Sequence, residues 1–201
     1  PPLLYGRTEG STPFRLSLHV GDVGHTLVVG PTGAGKSVLL ALMALQFRRY
    51  LRSQVFAFDF GGSIRAAALA MGGDWHDLGG GLTEGSDTSV SLQPLSRIHD
   101  TYERAWAADW IVAILLREGI KITPEAKEHI WTALTSLASA PVGERTITGL
   151  SVLLQSNDLK QALRPYCVGG PYGRLLDAEA EHLGSADVQA FEIEGLSLIH
   201  I

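Results

Sequence analysis

The eight residues 30–37, GPTGAGKS, constrain the fold of this chain more than any other feature. They match the pattern G-x-x-x-x-G-K-[ST], with Gly30, Gly35, Lys36 and Ser37 at its fixed positions. Glycines in this pattern let backbone N–H groups converge on an anion, and the helix that follows adds its positive end. The lysine places a charge on the β- and γ-phosphates, and the Ser37 hydroxyl is the type of ligand that holds Mg²⁺.

The flanking residues have the order that such a loop requires, which argues against a chance match in a glycine-rich chain. Residues 26–29 form a short apolar run that predicts a buried parallel strand, and apolar residues recur at helical spacing over 37–50. We therefore predict a site for ATP and Mg²⁺ in which Lys36 is also catalytic and Ser37 binds the metal. Its nucleotide-binding residues are Gly30, Pro31, Thr32, Gly33, Ala34, Gly35, Lys36, Ser37 and Val38.

The order of elements predicts an α/β fold with a mostly parallel sheet. A second apolar run at 54–59 is followed by a glycine turn and an alanine-rich helix at 64–70. Strand, loop, helix, strand, turn and helix in this order form a βαβα unit. The alternation of apolar and polar residues over 14–20 predicts an additional strand or hairpin arm.

Asp59, at the end of the second apolar run, has two interpretations. Four apolar residues followed by a carboxylate resemble a Walker B strand, in which the acid holds the Mg²⁺ shell. The alternative is that Asp59 ends the strand and caps the turn at Gly61 and Gly62. Only 23 positions separate Asp59 from Lys36, which leaves room for a single helix and strand, so we favour the capping role and keep the metal role open.

Residues 99–168 predict a helical subdomain inserted into an α/β core formed by 14–98 and 169–196. Asp100 with Glu103 has the pattern of a capping box for a helix that ends near Arg117. Thr123 and Pro124 predict the start of a helix that ends near residue 138, and shorter helices are expected at 148–155 and 158–164. A returning strand is expected at 188–193, and glycines predict a mobile loop over 79–88.

Other candidate residues are interpreted as structural. Glu192 and Glu194 share one face of a predicted strand, and we favour an exposed polar face over the edge of a site. The single cysteine, Cys167, is expected to be an inert thiol in a reducing compartment. Histidine spacing gives no metal pattern. The tryptophans at helical spacing are expected to be core residues rather than platforms for stacked bases; they are Trp106, Trp110 and Trp131.

Composition limits the classes of function. A hydrophobic content of 45% and a charged content of 18% are typical of globular domains, and the net charge of -5 predicts DNA binding that is weak if present at all. No apolar run is long enough to form a transmembrane segment. The absence of an initial Met and a tail that follows a strand-like run lead us to expect a fragment, in which 197–201 are not native.

Several stretches together resemble the C-terminal ATPase domain of the TrbE/CagE family of conjugal-transfer and type IV secretion ATPases, especially its TrbE branch. The stretches, besides the glycine loop with its preceding Gly24-His25-Thr26, are FDFGGS at 58–63, LQPL at 92–95, ERAW at 103–106, YGRLLD at 172–177 and FEIE at 191–194. The resemblance runs from about residue 13 to residue 196, nearly the whole chain.

The resemblance implies a RecA-like P-loop motor domain with a helical insertion. It implies a homo-oligomer, expected to be a hexamer, at the cytoplasmic face of the inner membrane of a bacterium, working with other secretion-channel subunits. It also implies that the Asp-Glu pair of Walker B follows later in the chain than Asp59, so this stretch is expected to bind ATP without rapid turnover. Two other functions stay open: a DNA-translocating coupling ATPase of similar fold, and an assembly scaffold gated by nucleotide.

Overall fold

The computed structural model describes residues 2–19, 21–79 and 90–197, without the side chains of 196 and 197. Residues cluster into two compact units: residues 1–80 with 184–201 form the first, and 81–183 form the second. The second unit is thus inserted into the sequence of the first. The finer limits at 14, 99, 169 and 196 stay predictions, and most of the loop predicted over 79–88 lies outside the described residues, as does the tail after 197.

The first unit contains a parallel sheet of three strands. Strand β3 (Val55–Asp59) and strand β4 (Asp74–Asp77) lie on either side of β5 (Val188–Glu192), so an α/β fold with a parallel sheet is confirmed. All five residues of β5 are buried because the strand has neighbours on both edges. The predicted strands at 54–59 and 188–193 are present, whereas β4, with sequence DWHD, was not predicted.

A helix of this unit packs on the sheet. Helix α1 (Lys36–Phe47) follows the glycine loop, and the short helix α2 (Arg65–Ala70) connects β3 to β4. Ala68 of α2 packs on Val188 and Ala190 of β5, and these three residues form the buried cluster of the unit. A separate antiparallel hairpin precedes them, with β1 (Leu4–Arg7) paired to β2 (Pro13–Leu16), and a helix of one turn, α8 (Glu194–Ser197), follows β5.

The apolar run at 26–29 is not part of a strand, so its prediction as a buried parallel strand is wrong for this structure. Leu27 and Val29 have 88% and 81% of their surface exposed. A parallel strand needs a ladder partner, and both edges of the central strand β5 are already paired with β3 and β4. The run at 26–29 pairs with neither β3 nor β4, although each of these outer strands has a strand neighbour on one edge only.

The second unit is helical. Its main helices are α3 (Thr101–Arg117), α4 (Pro124–Leu137), α5 (Ile147–Leu153) and α6 (Asn157–Leu163), followed by a single turn α7 (Gly173–Leu176). Seventeen buried residues form one core, among them Ile111, Leu134 and Leu150. The predicted N-caps are confirmed: the Asp100 carboxylate accepts from the amides of Tyr102 and Glu103, and Thr123 Oγ1 accepts from the Ala126 amide. The capping box at Asp100 is not completed, because the Asp100 amide donates to the Arg97 carbonyl and the Glu103 carboxylate pairs with Arg97.

Asp177 connects three segments of the helical unit. Its side chain is buried, and Oδ1 accepts from the Thr148 amide at 2.9 Å. Its Oδ2 accepts from the Thr148 hydroxyl at 2.5 Å and from the Val168 amide at 2.7 Å. The aspartate that ends the YGRLLD stretch therefore fixes the start of α5 against the chain that follows α6.

We expect the Asp177→Ala variant to destabilise the helical unit by about 2–4 kcal/mol, because buried amides lose a charged acceptor. Hydrogen exchange at the Thr148 and Val168 amides should accelerate together with a lower melting temperature. Glu179→Ala, at an exposed position two residues away, is the matched control and should change neither quantity. Equal behaviour of the two variants would contradict the structural role of Asp177.

Candidate functional site

The glycine loop has the backbone conformation that its sequence predicts. Gly33 and Gly35 have φ values of 81° and 82°, in the left-handed region that side chains rarely adopt. Gly35 is the N-cap of α1, and it carries no side-chain cap on the first helical turn. The positive φ values explain why glycine stands at 33 and 35. At Gly30, a Cβ would meet only ordinary contacts near 3.7 Å, so contacts with neighbouring atoms do not explain that glycine.

The loop presents backbone donors at an exposed helix N-terminus. The amide of Ala34 donates to the Pro31 carbonyl at 3.3 Å, and the Leu39 amide donates to the Gly35 carbonyl at 2.9 Å. Among the described residues, the amides of Lys36 and Ser37 find no backbone acceptor. Such orphan amides, together with the helix dipole, favour an anion at this position.

The Lys36 side chain lies along the loop. Its Nζ donates to the carbonyl oxygens of Gly30 at 2.9 Å and Pro31 at 2.8 Å. These bonds hold the ammonium group beside the loop with neutral partners, so its positive charge is not compensated there by a carboxylate. The ammonium group and the free amides therefore put uncompensated positive charge on the same short segment.

Asp59 ends β3, and its oxygens are engaged by the turn that follows. The Ser63 hydroxyl lies 2.9 and 3.0 Å from Oδ1 and Oδ2, and the Ile64 amide donates to Oδ2 at 2.8 Å. These bonds hold the end of the turn that leads into α2, which agrees with a role in closing the turn, although the amides of Gly61 and Gly62 do not donate to Asp59. In the part of the chain that the structure describes, no group of three or more His, Cys, Asp or Glu side chains is arranged to hold a metal ion.

Glu192, at the end of the central strand, was expected on an exposed polar face, and this prediction is wrong. Its side chain is buried, and its carboxylate accepts from the backbone amides of Gly61, Gly62 and Glu194. Gly61 and Gly62 have φ values of 84° and 66°, which turn both amides toward the carboxylate. Glu194, in contrast, is exposed as predicted.

The two carboxylates act on the same turn from neighbouring strands. Asp59 and Glu192 are register partners in the parallel pair β3 and β5. Asp59 binds the end of the turn, at Ser63 and Ile64, while Glu192 binds its beginning. The sequence signal for Glu192 was its place at the end of a run in which Val188, Ala190 and Phe191 are apolar, since a glutamate on a buried central strand needs partners.

The remaining candidates lie outside this region. Burial raises the pKa of the Cys167 thiol, whose Sγ donates to the Leu163 carbonyl at 3.3 Å. Trp106 and Trp131 are 52% and 40% exposed, so their prediction as core residues is wrong. Trp110, partly buried, does pack against the helical core.

Comparison with known proteins identifies relatives over nearly the whole chain. It is 48% identical over 195 residues to a probable conjugal transfer protein TrbE of Sinorhizobium fredii NGR234, covering 97% of the chain and 29% of that protein. It is 45% identical over 197 residues to the conjugal transfer protein TrbE of Rhizobium radiobacter, covering 98% of the chain and 24% of that protein. The resemblance to the TrbE branch is confirmed. The chain spans less than a third of the length of these relatives.

More distant similarity extends to VirB4 proteins. The type IV secretion system protein virB4 of Bartonella henselae is 24% identical over 181 residues, which cover 88% of the chain and 22% of that protein. The solved structure of VirB4 of Thermoanaerobacter pseudethanolicus superposes with a TM-score of 0.73 at 15% identity, over 99% of the chain and 59% of that structure. This agreement shows a common fold. No protein-family model matches the chain.

We expect the Glu192→Ala variant to loosen the turn that follows β3. Three amides lose their acceptor, which should destabilise the first unit by about 2–3 kcal/mol and accelerate hydrogen exchange at Gly61 and Gly62. Glu192→Gln keeps one acceptor oxygen and should show a smaller change. The exposed Glu194→Ala is the matched control, and unchanged exchange at Gly61 and Gly62 in Glu192→Ala would refute the contact.

Proposed function

We propose that this chain is the nucleotide-binding part of a TrbE-type ATPase that energises conjugal transfer through a type IV secretion channel. The observation that carries the proposal is the loop at 30–37. It combines left-handed glycines, helix amides that have no backbone acceptor among the described residues, and the Lys36 ammonium group at the exposed start of α1. This combination of backbone donors and a lysine is the chemistry that recognises a polyphosphate. The names of the relatives support the transfer system in which the ATPase works.

The residues present fit Mg²⁺-ATP. Lys36 would exchange its two neutral carbonyl partners for negatively charged β- and γ-phosphate oxygens, so that both partners of each hydrogen bond would be ionised. The amides at the start of α1 would donate to the same phosphates, and Val38 is exposed beside them. Mg²⁺, when bound, would be held through the Ser37 hydroxyl and would offset the negative charge of the phosphates.

The proposal extends to the architecture and the setting of the whole protein. A parallel sheet and a P-loop sequence in one compact unit, together with the fold shared with VirB4, support a RecA-like core with residues 81–183 as its insertion. We place it in a homo-oligomer, with a hexamer as the expected form, bound peripherally to the inner membrane with other channel subunits. Of the helices that the structure describes, none combines the length and apolar composition required to cross a bilayer.

Lys36→Ala tests the phosphate loop. Loss of the only charged side chain of the loop should weaken Mg²⁺-ATP binding by at least about 100-fold, which corresponds to about 3 kcal/mol. The measurement is a titration with a fluorescent ATP analogue, competed with unlabelled ATP. Lys127→Ala, at an exposed position on α4, is the matched control. Unchanged affinity in Lys36→Ala would remove residues 30–37 as the nucleotide site.

Asp59→Ala separates the capping role from the metal role. If Asp59 only caps the turn into α2, the variant keeps Mg²⁺-ATP affinity within about twofold and loses about 1 kcal/mol of stability. Affinity is measured in Mg²⁺ and again in EDTA, with Ser63→Ala as the control that weakens the same cap without removing a carboxylate. A loss of affinity confined to the Mg²⁺ titration of Asp59→Ala would establish the metal role instead.

A further inference from the structure

Helix α3 has a second face that carries apolar side chains outside the core. Its buried residues are Ala107, Ile111, Ile114 and Leu115, which pack into the helical core. Away from these, Trp106 and Leu116 are 52% and 57% exposed. Trp106 also stacks on Trp110, with ring centroids 5.8 Å apart and planes 6° apart, which fixes the orientation of the exposed indole. This face has the composition of a protein interface rather than of a solvated surface.

The charges on this face are arranged symmetrically about a small residue. Ala113 is exposed, Asp109 lies four residues before it and Arg117 four residues after it. Positions four apart form one ridge along a helix, so 109, 113 and 117 lie in one row. Among the described residues, neither Asp109 nor Arg117 takes part in an ion pair; those present join Arg48 to Asp187 and Arg97 to Glu103.

We infer that this face, formed by Trp106, Asp109, Ala113, Leu116 and Arg117, binds the same face of a second copy of the chain. Two α3 helices that cross antiparallel at Ala113 bring Asp109 of each copy opposite Arg117 of the other. The twofold arrangement therefore pairs both charges at once, and the same surface is complementary to itself.

The side chains on either side of the crossing fit this arrangement. Alanine at the crossing point lets the two helix backbones approach closely. Under the same twofold, the partly buried Trp110 of one copy faces the exposed Leu116 of the other, and Trp106 extends the apolar contact outward. Along the helix, the row from 109 to 117 spans about 12 Å.

Charge favours a protein partner over nucleic acid. The exposed aromatic rings by themselves also suit stacking on bases. However, acidic residues are interspersed along α3 and α4, including Glu103, Asp109 and Glu128, and the chain as a whole carries a net charge of -5. A nucleic-acid surface requires a basic groove that follows the backbone. The opposite signs of Asp109 and Arg117 instead match a copy of the same helix.

The size of the contact sets its strength. A single helix pair buries less than the roughly 1,200 Å² of a standard stable interface, so the twofold contact is a weak one in the micromolar range. It also differs in kind from a ring interface, because a twofold contact is closed and joins only two copies. This pairing does not depend on the proposed function, and it adds a contact to any ring that the protein forms.

A charge swap tests the pairing in the full chain. Asp109→Arg and Arg117→Asp each place two pairs of like charges across the twofold, so each should weaken self-association about tenfold. The double variant D109R/R117D restores opposite charges at both positions and should recover the wild-type association constant. Sedimentation velocity over a concentration series measures the constants, and circular dichroism checks that α3 stays folded.

Matched controls exclude effects of net charge. Glu128→Arg and Lys127→Glu make the same changes of charge at exposed positions of α4 and should leave association unchanged. If the single variants associate as strongly as the wild type, the chains associate through another surface and the proposal is wrong. The proposal is also wrong if the double variant does not recover the wild-type association constant. Oligodeoxythymidine binding is measured through quenching of tryptophan fluorescence. If the oligonucleotide binds, and if Trp106→Ala loses this binding while self-association is unaffected, the face is a nucleic-acid surface and the pairing proposal is wrong.

Discussion

Strand β5 is the element on which the α/β unit depends. It pairs with β3 on one edge and β4 on the other, and Val188 and Ala190 provide most of the buried cluster with Ala68. The last residue of β5, Glu192, also binds the amides of the turn after β3. No other element that the structure describes pairs with both outer strands of the sheet. The sheet, the buried cluster and the turn after β3 therefore all depend on the five residues of β5.

The phosphate loop and the turn after β3 use backbone amides in opposite ways. In both segments, paired glycines with positive φ values turn amides outward from the chain. At Gly61 and Gly62 the protein supplies the anion itself, through the buried carboxylate of Glu192. At residues 30–37 the nearby charge is the Lys36 ammonium, so an anion is attracted from solution. The same backbone chemistry thus gives a fixed turn in one place and a candidate ligand site in the other.

Sequence alone predicted the features that depend on local chemistry. The unusual backbone of the glycine loop and the N-caps at Asp100 and Thr123 follow from conformational preferences of neighbouring residues, and the structure has them. The features that depend on distant partners were missed. Strand β4, with its polar sequence DWHD, forms because β5 offers an edge and because His76 bonds to Gln189 across it. The run at 26–29 has strand composition but forms no ladder in this structure, and one of the amides that bind the buried Glu192 lies 131 residues away.

That separation of 131 residues has a consequence for synthesis of the protein. At bacterial rates of roughly 5–20 residues per second, β3 leaves the ribosome on the order of 10 s before β5 is made. During this interval the edges of β3 are open, and Phe56 and Phe58, exposed even in the folded chain, are available to other nascent strands. The helical unit is made in the meantime from contacts between successive helices, which close quickly. The helical unit therefore lies between β3 and its partner strand β5 in the order of synthesis, and the sheet can close only after that unit has been made.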